Sequence, residues 1–490
     1  MKALKTRGAF IIMANQKFND PAYRKALRKP DIRIVLWYSF MYLIVQMNKS
    51  NVSNAAIMNT EEGHGIKKQL GNLTSGQWAW VLSCFYYPYL FFEPLTTVLM
   101  KRFSPSRWQA RLMVTWGIVS MAQAACKNYS GIIAARFFLG LAEAGFYPTV
   151  LYHLGFWYRT HDLRARIAFF YGAGQLAGFI SGLLAYGVSH IDGKRGIYGW
   201  QWLFIIEGIL PILGGIYTWF FLPDYPADAK MLTEEERELI LSALPSYGPQ
   251  TKSKTWDWSE IKPLLKTPSF YSYTVIWICH GIGGWGISFI LPTIIYGLGF
   301  TDTAKTQLMT MPPAFLTFFF LCIVGYVGTW RGNKGKPLNM FYVAAVTETV
   351  NLISYIVLLC TNNRVAQYLM VLIANGIGQT VFPLLWPDRM RAAQGTSATG
   401  LAIGATNCMA QFLGIVGPQI YQTKFGPSYH VSYAISLAML VIATAAIVVS
   451  YFLTRKTLRE LDEKEALEED DSVSETASEN VVVLHSEKAA

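Results

Sequence analysis

Long windows of this chain are almost purely apolar, and the polar residues crowd into the stretches between them. The windows 270–300, 308–330, 339–363 and 396–422 hold one charged residue at most. The chain has 42 Lys and Arg and 31 Asp and Glu in 490 residues. Even spacing would put about three in every window of ~20 residues, the length that crosses a bilayer as a helix. Twelve such windows predict helical spans at 31–57, 78–100, 109–126, 129–152, 167–188, 200–222, 268–297, 308–330, 339–360, 365–387, 396–421 and 430–453. Helices are expected because an open sheet edge leaves its amides unsatisfied in lipid.

Six spans precede the polar stretch 223–266 and six follow it. The organisation read from this is a basic tail (1–30), a first six-helix bundle (31–222), a linker (223–266), a second six-helix bundle (267–453) and an acidic tail (454–490). The predicted class is an all-α membrane protein of 12 transmembrane helices in two six-helix bundles. Within the linker, Thr233 followed by Glu236 forms a capping box that starts a short helix. The tail from about 460 is acidic and poor in apolar residues, which predicts disorder. Its Ser472, Ser474 and Ser478 are either phosphorylation sites or simply part of a solvated tail.

A mean hydropathy of +0.27 agrees with this class and excludes an ordinary soluble enzyme and a disordered chain. The net charge of +11 records loop residues rather than nucleic-acid binding. No nucleophile–base or metal-ligand spacing stands out, so neither an enzyme nor a cofactor or metal site is expected. The six cysteines are scattered through apolar segments without a disulfide or CxxC pattern. An apolar patch at 9–14 is too short to span a membrane and lacks a convincing cleavage site.

Lys and Arg set the expected orientation. The N-terminal tail carries nine, and the loops on its side carry Lys101, Arg102, Arg107, Arg111, Arg159, Arg164, Arg166, Arg331, Lys334, Lys336, Arg389 and Arg391. The opposite loops carry eight, namely Lys67, Lys68, Lys127, Lys194, Arg195, Lys305, Arg364 and Lys424. Both termini are therefore expected in the cytoplasm. The sequon at Asn72 then faces outward as a glycosylation candidate, whereas that at Asn128 sits too close to the membrane.

Charges inside the spans are the functional pointers, because each is costly in lipid unless paired or in a wet cavity. They are Lys49, Glu93, Arg136, Glu143, Glu207 and Glu348, with His280 as a further titratable group. Arg136 and Glu143 lie about two turns apart, on one face. Counting from span centres puts Lys49 and Arg136 at one depth, ~7 Å above the midplane on the outer side. Two cations above a carboxylate make an anion site with a proton acceptor beneath it. The alternative is an ion-pair network that only holds helices together, although a buried pair is weak evidence for stability. Glu93 and Glu348 read as structural, with a charge relay in gating as the other reading of Glu93. Glu207 and His280 are next in line for protons. Asn51, Asn54, Gln175, Asn375, Gln379, Asn407 and Gln411 are placed to offer hydrogen bonds to a cavity. Gly174, Gly178 and Gly182, and Gly400 with Gly404, repeat at four-residue spacing and allow close helix approach. Gly281, Gly283, Gly284 and Gly286 loosen span 7.

Three stretches resemble a known family. Lys101-Arg102-Phe103-Ser104-Pro105-Ser106-Arg107 is similar to its basic turn, Arg136 to Gly145 to its fourth-helix motif, and Gly199 to Gly208 to its sixth-helix entry. Over 30–455 the chain resembles the major facilitator superfamily, and within it the fungal allantoate permease group of the anion:cation symporter family. The resemblance implies the major facilitator fold and proton-coupled symport of a small organic anion such as nicotinate, pantothenate or an allantoate-like carboxylate. The charges and amides of the spans make Lys49, Arg136, Asn51, Gln175 and Asn407 the expected substrate contacts and Glu143, Glu207 and His280 the expected proton-coupling groups. The family's first helix carries Asp-Arg-x-Asn where this chain has Asn48-Lys49-Ser50-Asn51, so the carboxylate is lost and the cation is a lysine. The expected partners are the organic anion, protons and the lipid bilayer, with no nucleic acid, and the expected site is the plasma membrane. Export of a secondary metabolite and a non-transporting nutrient sensor are the other readings.

Overall fold

The computed structural model describes residues 21–60, 62–244, 257–299, 309–333, 338–393, 395–426 and 428–487. The patch at 9–14 and the cations Lys305, Lys334 and Lys336 lie outside them. Among the described residues there is no strand. Among the described residues each of the twelve expected spans is helical, as one helix or as shorter ones in succession, six before the linker and six after it. Their outward faces carry large apolar side chains, such as Phe91, Phe220, Ile323, Val346 and Val449, all exposed. A surface of this kind is stable against acyl chains rather than water.

Spans 3 (Pro105–Ala122), 6 (Gly199–Phe221), 8 (Met311–Asn333) and 9 (Met340–Cys360) are single helices. Others are interrupted part-way along. Span 4 is Tyr129–Glu143 then Phe146–Leu154, and span 10 is Arg364–Gly378 then Val381–Arg391. Span 5 is Thr160–Gln175 then Ala177–Ser189, and span 11 is Thr396–Ala410 then Phe412–Ile420. These four interruptions pair span 4 with span 10 and span 5 with span 11, as expected of repeated units. The span 4 break depends on Gly145, with φ 90°, in the left-handed region where glycine carries no penalty. A Cβ there would lie 1.7 Å from Thr96 Oγ1 of span 2, which itself runs as Ser75–Cys84 then Tyr86–Arg102. Span 7 bends by 50° between 268–288 and 291–297, just after its glycine cluster.

The two bundles meet along span 5 against span 8 and span 2 against span 11. At the second seam Gly414 accepts the ring of Tyr86, whose atoms lie 2.1 Å from where a Cβ would stand. The linker contributes two helices, each fixed to one bundle. Glu234–Ala243 starts at the expected Thr233 box and packs on an amphipathic helix, Pro21–Pro30, through the Lys29–Glu236 pair. Trp258–Lys266 turns Glu260 onto the backbone N–H groups of Ser397 and Ala398, at 2.6 and 3.3 Å, at the start of span 11.

Two expectations are corrected. The acidic tail is helical, because span 12 continues without a break from His430 to Glu487. Its first exposed turns are rich in good helix formers and carry i,i+4 pairs, Lys456–Glu460 and Arg459–Glu463. Arg389 and Arg391, taken as loop cations, are buried in the helix Val381–Arg391.

Candidate functional site

A cavity of about 230 Å³ lies between the bundles at the helix breaks. Span 1 (Leu36–Ala55) lines it with Tyr42, Gln46, Lys49 and Ser53, which share one helix face by their spacing. Gln175 and Gln411, at matching breaks of spans 5 and 11, line it from opposite bundles. Asn54, Asn375, Gln379 and Asn407 add further amides, and Tyr86, Tyr89, Tyr147, Tyr171, Trp285, Phe382 and Trp386 add aromatic walls. Lys49 is the one formally charged residue among the described lining side chains.

The cavity extends toward Ser53, Pro292 and Thr310, on the side away from the basic loops. Toward the basic side it is shut. Tyr147 meets Trp386 at 6.1 Å between ring centroids, and the side chain of Tyr152 covers Gly400. Below them Arg164 of span 5 pairs with Asp388 of span 10 at 2.7 Å, both buried.

The Lys49 ammonium is 3.2 Å from Glu143 Oε1 and 4.9 Å from the centre of the Tyr89 ring. Glu143 is fully buried, and Lys49 is its ion-pair partner. Arg136 approaches the same ring as Lys49, that of Phe85, at 5.0 Å against 6.0 Å for Lys49. It does not line the cavity, however, contrary to the expectation of two cations presented to it. Arg136 is buried, its Nε donates to Val81 O at 3.4 Å, and its Nη1 has no partner among the described residues. Depth counting fixes height but not which way round the helix a side chain points.

The other expected residues divide in the same way. Gln175 and Asn407 are on the wall, with Asn407 Nδ2 donating to Glu93 Oε1. Asn51 is fully buried away from it, on the face of span 1 opposite Lys49. Glu207 is reached from the wall through two hydrogen bonds. Asn54 Nδ2 donates to Ser181 Oγ at 2.8 Å, and Ser181 Oγ donates to Glu207 Oε1 at 3.1 Å. Asn48, in place of the family's aspartate, donates to Glu207 O at 3.0 Å and accepts from Ser120 Oγ at 2.6 Å. It thus serves the packing of spans 1, 3 and 6. His280 is buried behind Phe382, its Nδ1 2.9 Å from both Glu348 oxygens and its Nε2 2.8 Å from Gly378 O. This arrangement fastens spans 7, 9 and 10 at the span 10 break. Asn72 is exposed in a tight turn at φ 55°, while Asn128 is occupied as the N-cap of Tyr129–Glu143.

The aromatic walls were not assigned from the sequence. The signal available was the spacing Tyr42, Gln46, Lys49, Ser53, a polar stripe of period 3.6 in an apolar span.

Comparison with known proteins gives a consistent answer. Residues 38–418 match the family model described as Major Facilitator Superfamily. The MFS transporter prlL of Fungal sp. (strain NRRL 50135) is 31% identical over 91% of this chain and 90% of its own length. The high-affinity nicotinic acid transporter of Saccharomyces cerevisiae is 28% identical over 92% of this chain and 80% of its own. The crystal structure of the human organic anion transporter MFSD10 (TETRAN) superposes with a TM-score of 0.59 at 10% identity, over 85% of this chain and 99% of that one. A bacterial homolog of the human lysosomal transporter Spinster, inward-facing and unoccupied, gives 0.59 at 13% identity, over 90% and 98%. At such identities the two structures speak for the fold alone.

Proposed function

The chain belongs to the Major Facilitator Superfamily, and from that premise we propose that it is a proton-coupled carrier for uptake of a small organic anion by alternating access. It is a multi-pass membrane transporter with a small-molecule substrate. The finer assignment rests on one observation, a cavity whose described lining carries a single formal charge, positive, ringed by aromatic side chains and amides. A carboxylate is the natural partner of that ammonium, and the walls suit a flat or branched apolar body. An aromatic monocarboxylate such as nicotinate fits this description. Pantothenate and allantoate-like acids are the other candidates, in keeping with the allantoate permease group.

The coupling follows from the Lys49–Glu143 pair. A substrate carboxylate that takes Lys49 deprives Glu143 of its counter-charge. A buried carboxylate without a counter-charge is costly, and a proton removes the cost. Anion and proton therefore favour one another's binding, and the loaded carrier reorients with its charges balanced. The proposed setting is the plasma membrane, with the basic side and both termini in the cytoplasm and the Asn72 turn outside.

The test is uptake of a labelled carboxylate panel by cells in which this chain is the sole candidate carrier, at acid external pH, alongside efflux from preloaded cells. Uptake that exceeds equilibrium is expected, and efflux as the main activity would overturn the direction. Glu143→Gln is expected to keep exchange of substrate across the membrane while losing uphill accumulation. Accumulation with unchanged pH dependence would show that Glu143 carries no coupling proton.

A further inference from the structure

Glu93 lies outside the cavity yet is tied to its wall. It is fully buried on the helix Tyr86–Arg102 of span 2, on the basic side of the span 2 break. Its Oε1 accepts a hydrogen bond from Asn407 Nδ2 of the other bundle, so this contact crosses the seam. Its Oε2 is buried and has no hydrogen-bond partner among the described residues. Nearby, Cys408 Sγ lies 3.0 Å from Leu90 O across the same seam.

An ionised carboxylate presents two charged oxygens, about four acceptor sites in all, and here one of them meets a donor. A bare charged oxygen in a dry seam is strongly disfavoured, whereas a neutral carboxyl leaves only one uncharged O–H without a partner, a smaller cost. The titratable and charged groups facing Glu93 are Lys49 of span 1, Tyr89 of its own span, Glu143 and Tyr147 of span 4, and Cys408 of span 11. Lys49 is the one cation in that set and already stands 3.2 Å from Glu143. One ammonium cannot balance two carboxylates.

We propose that Glu93 is a second proton-binding site of the carrier, holding a proton while it bonds Asn407 across the seam and losing it when spans 2 and 11 part on the basic side. This rests on the reading of the chain as a proton-coupled carrier. Parting removes the Asn407 donor and admits water, which solvates the carboxylate and takes the proton. Closing the seam again requires the proton back. Glu93 thereby links protonation to the position of the two bundles, which Glu143, held within one bundle by Lys49, does not do by itself.

The test measures the seam without a substrate. Spin labels at Arg102→Cys and Lys262→Cys, both exposed at the basic ends of the two bundles, report their separation in the purified full chain, with the native cysteines replaced. The closed-to-open ratio should fall with rising pH, by up to about tenfold per pH unit for one proton. Glu93→Gln should stay closed across the range, Glu93→Asp should recover a pH response, and Glu143→Gln should leave a response in place. A wild-type response in Glu93→Gln, or no response in the wild type, overturns the inference. Where Glu93→Gln fails to fold, Asn407→Val serves, since it removes the donor and should open the seam at every pH. An unchanged Asn407→Val response likewise overturns the inference. Loss of uphill carboxylate uptake by the wild type would instead remove the functional reading itself, so the two failures are separable.

Discussion

Replacing Lys49 by glutamine removes the single formal charge from the described cavity lining and leaves Glu143 buried without its ion-pair partner. Two costs follow, and they can be told apart. The first falls on folding, where breaking one side of a buried pair costs about 3–5 kcal/mol. The second falls on substrate, which loses a charge-assisted hydrogen bond worth about 1.5–3 kcal/mol. That second figure corresponds to about 10- to 150-fold in affinity. The double variant Lys49→Gln/Glu143→Gln separates them. It replaces both charges with amides of similar shape, so it should recover most of the thermal stability lost by Lys49→Gln while keeping the full loss of anion affinity. The assays are thermal melting of the purified carrier and binding of a labelled carboxylate identified in the uptake screen. Wild-type affinity in Lys49→Gln, or affinity restored in the double variant, would refute the assignment of Lys49 as the anion contact. Melting unchanged by Lys49→Gln would refute the pairing with Glu143.

Arg164→Ala and Asp388→Ala should each weaken closure on the basic side, seen as faster labelling of cysteines placed below Trp386, because each strands a buried charge otherwise paired at 2.7 Å. The Arg164→Ala/Asp388→Ala double variant should be less disturbed than either single one, and additive effects would count against a direct pair. Gly145→Ala should lower the melting temperature and the yield of folded carrier, since it combines a φ of 90° with a Cβ 1.7 Å from Thr96 Oγ1. Such backbone strain costs about 1–3 kcal/mol before any overlap, and a wild-type melt would show that the span 4 break is not held as described. Asn72→Gln should abolish any glycan-dependent mobility shift on a denaturing gel, and a shift that survives it would place the glycan elsewhere.

Much of the architecture was legible in the chain because the bilayer imposes a coarse and local rule. A span must be about 20 residues long, apolar, and satisfied in its own hydrogen bonds. Clearing charges from twelve windows therefore predicts twelve rods, and the Thr233 capping box predicts a helix start, from neighbours in sequence alone. The rare intramembrane charges were equally plain, as was the helix-face relation of Arg136 to Glu143, since the period of 3.6 is local too.

What the sequence could not decide is which partners those charges meet. Counting along the spans expects Lys49 and Arg136 at one depth, yet one faces the cavity beside Glu143 and the other is buried near Phe85. Helix rotation settles that, and it is set for span 1 by packing against spans 5 and 6 and for span 4 by packing against spans 2 and 3. Asn51 and Asn54 are three residues apart, but only Asn54 reaches the cavity wall. Glu93 and Asn407 are separated by 314 positions and meet across the seam between bundles. His280 of span 7 and Glu348 of span 9 meet through their side chains beside Gly378 at the span 10 break. The continuation of span 12 into the acidic tail was missed for another reason: composition marks solvation, whereas a helix already nucleated by 430–453 extends through good helix formers at little further cost. The windows of the sequence determine the rods and their count, and the rotation and contact of those rods, fixed by side-chain packing between residues far apart in the chain, determine the site.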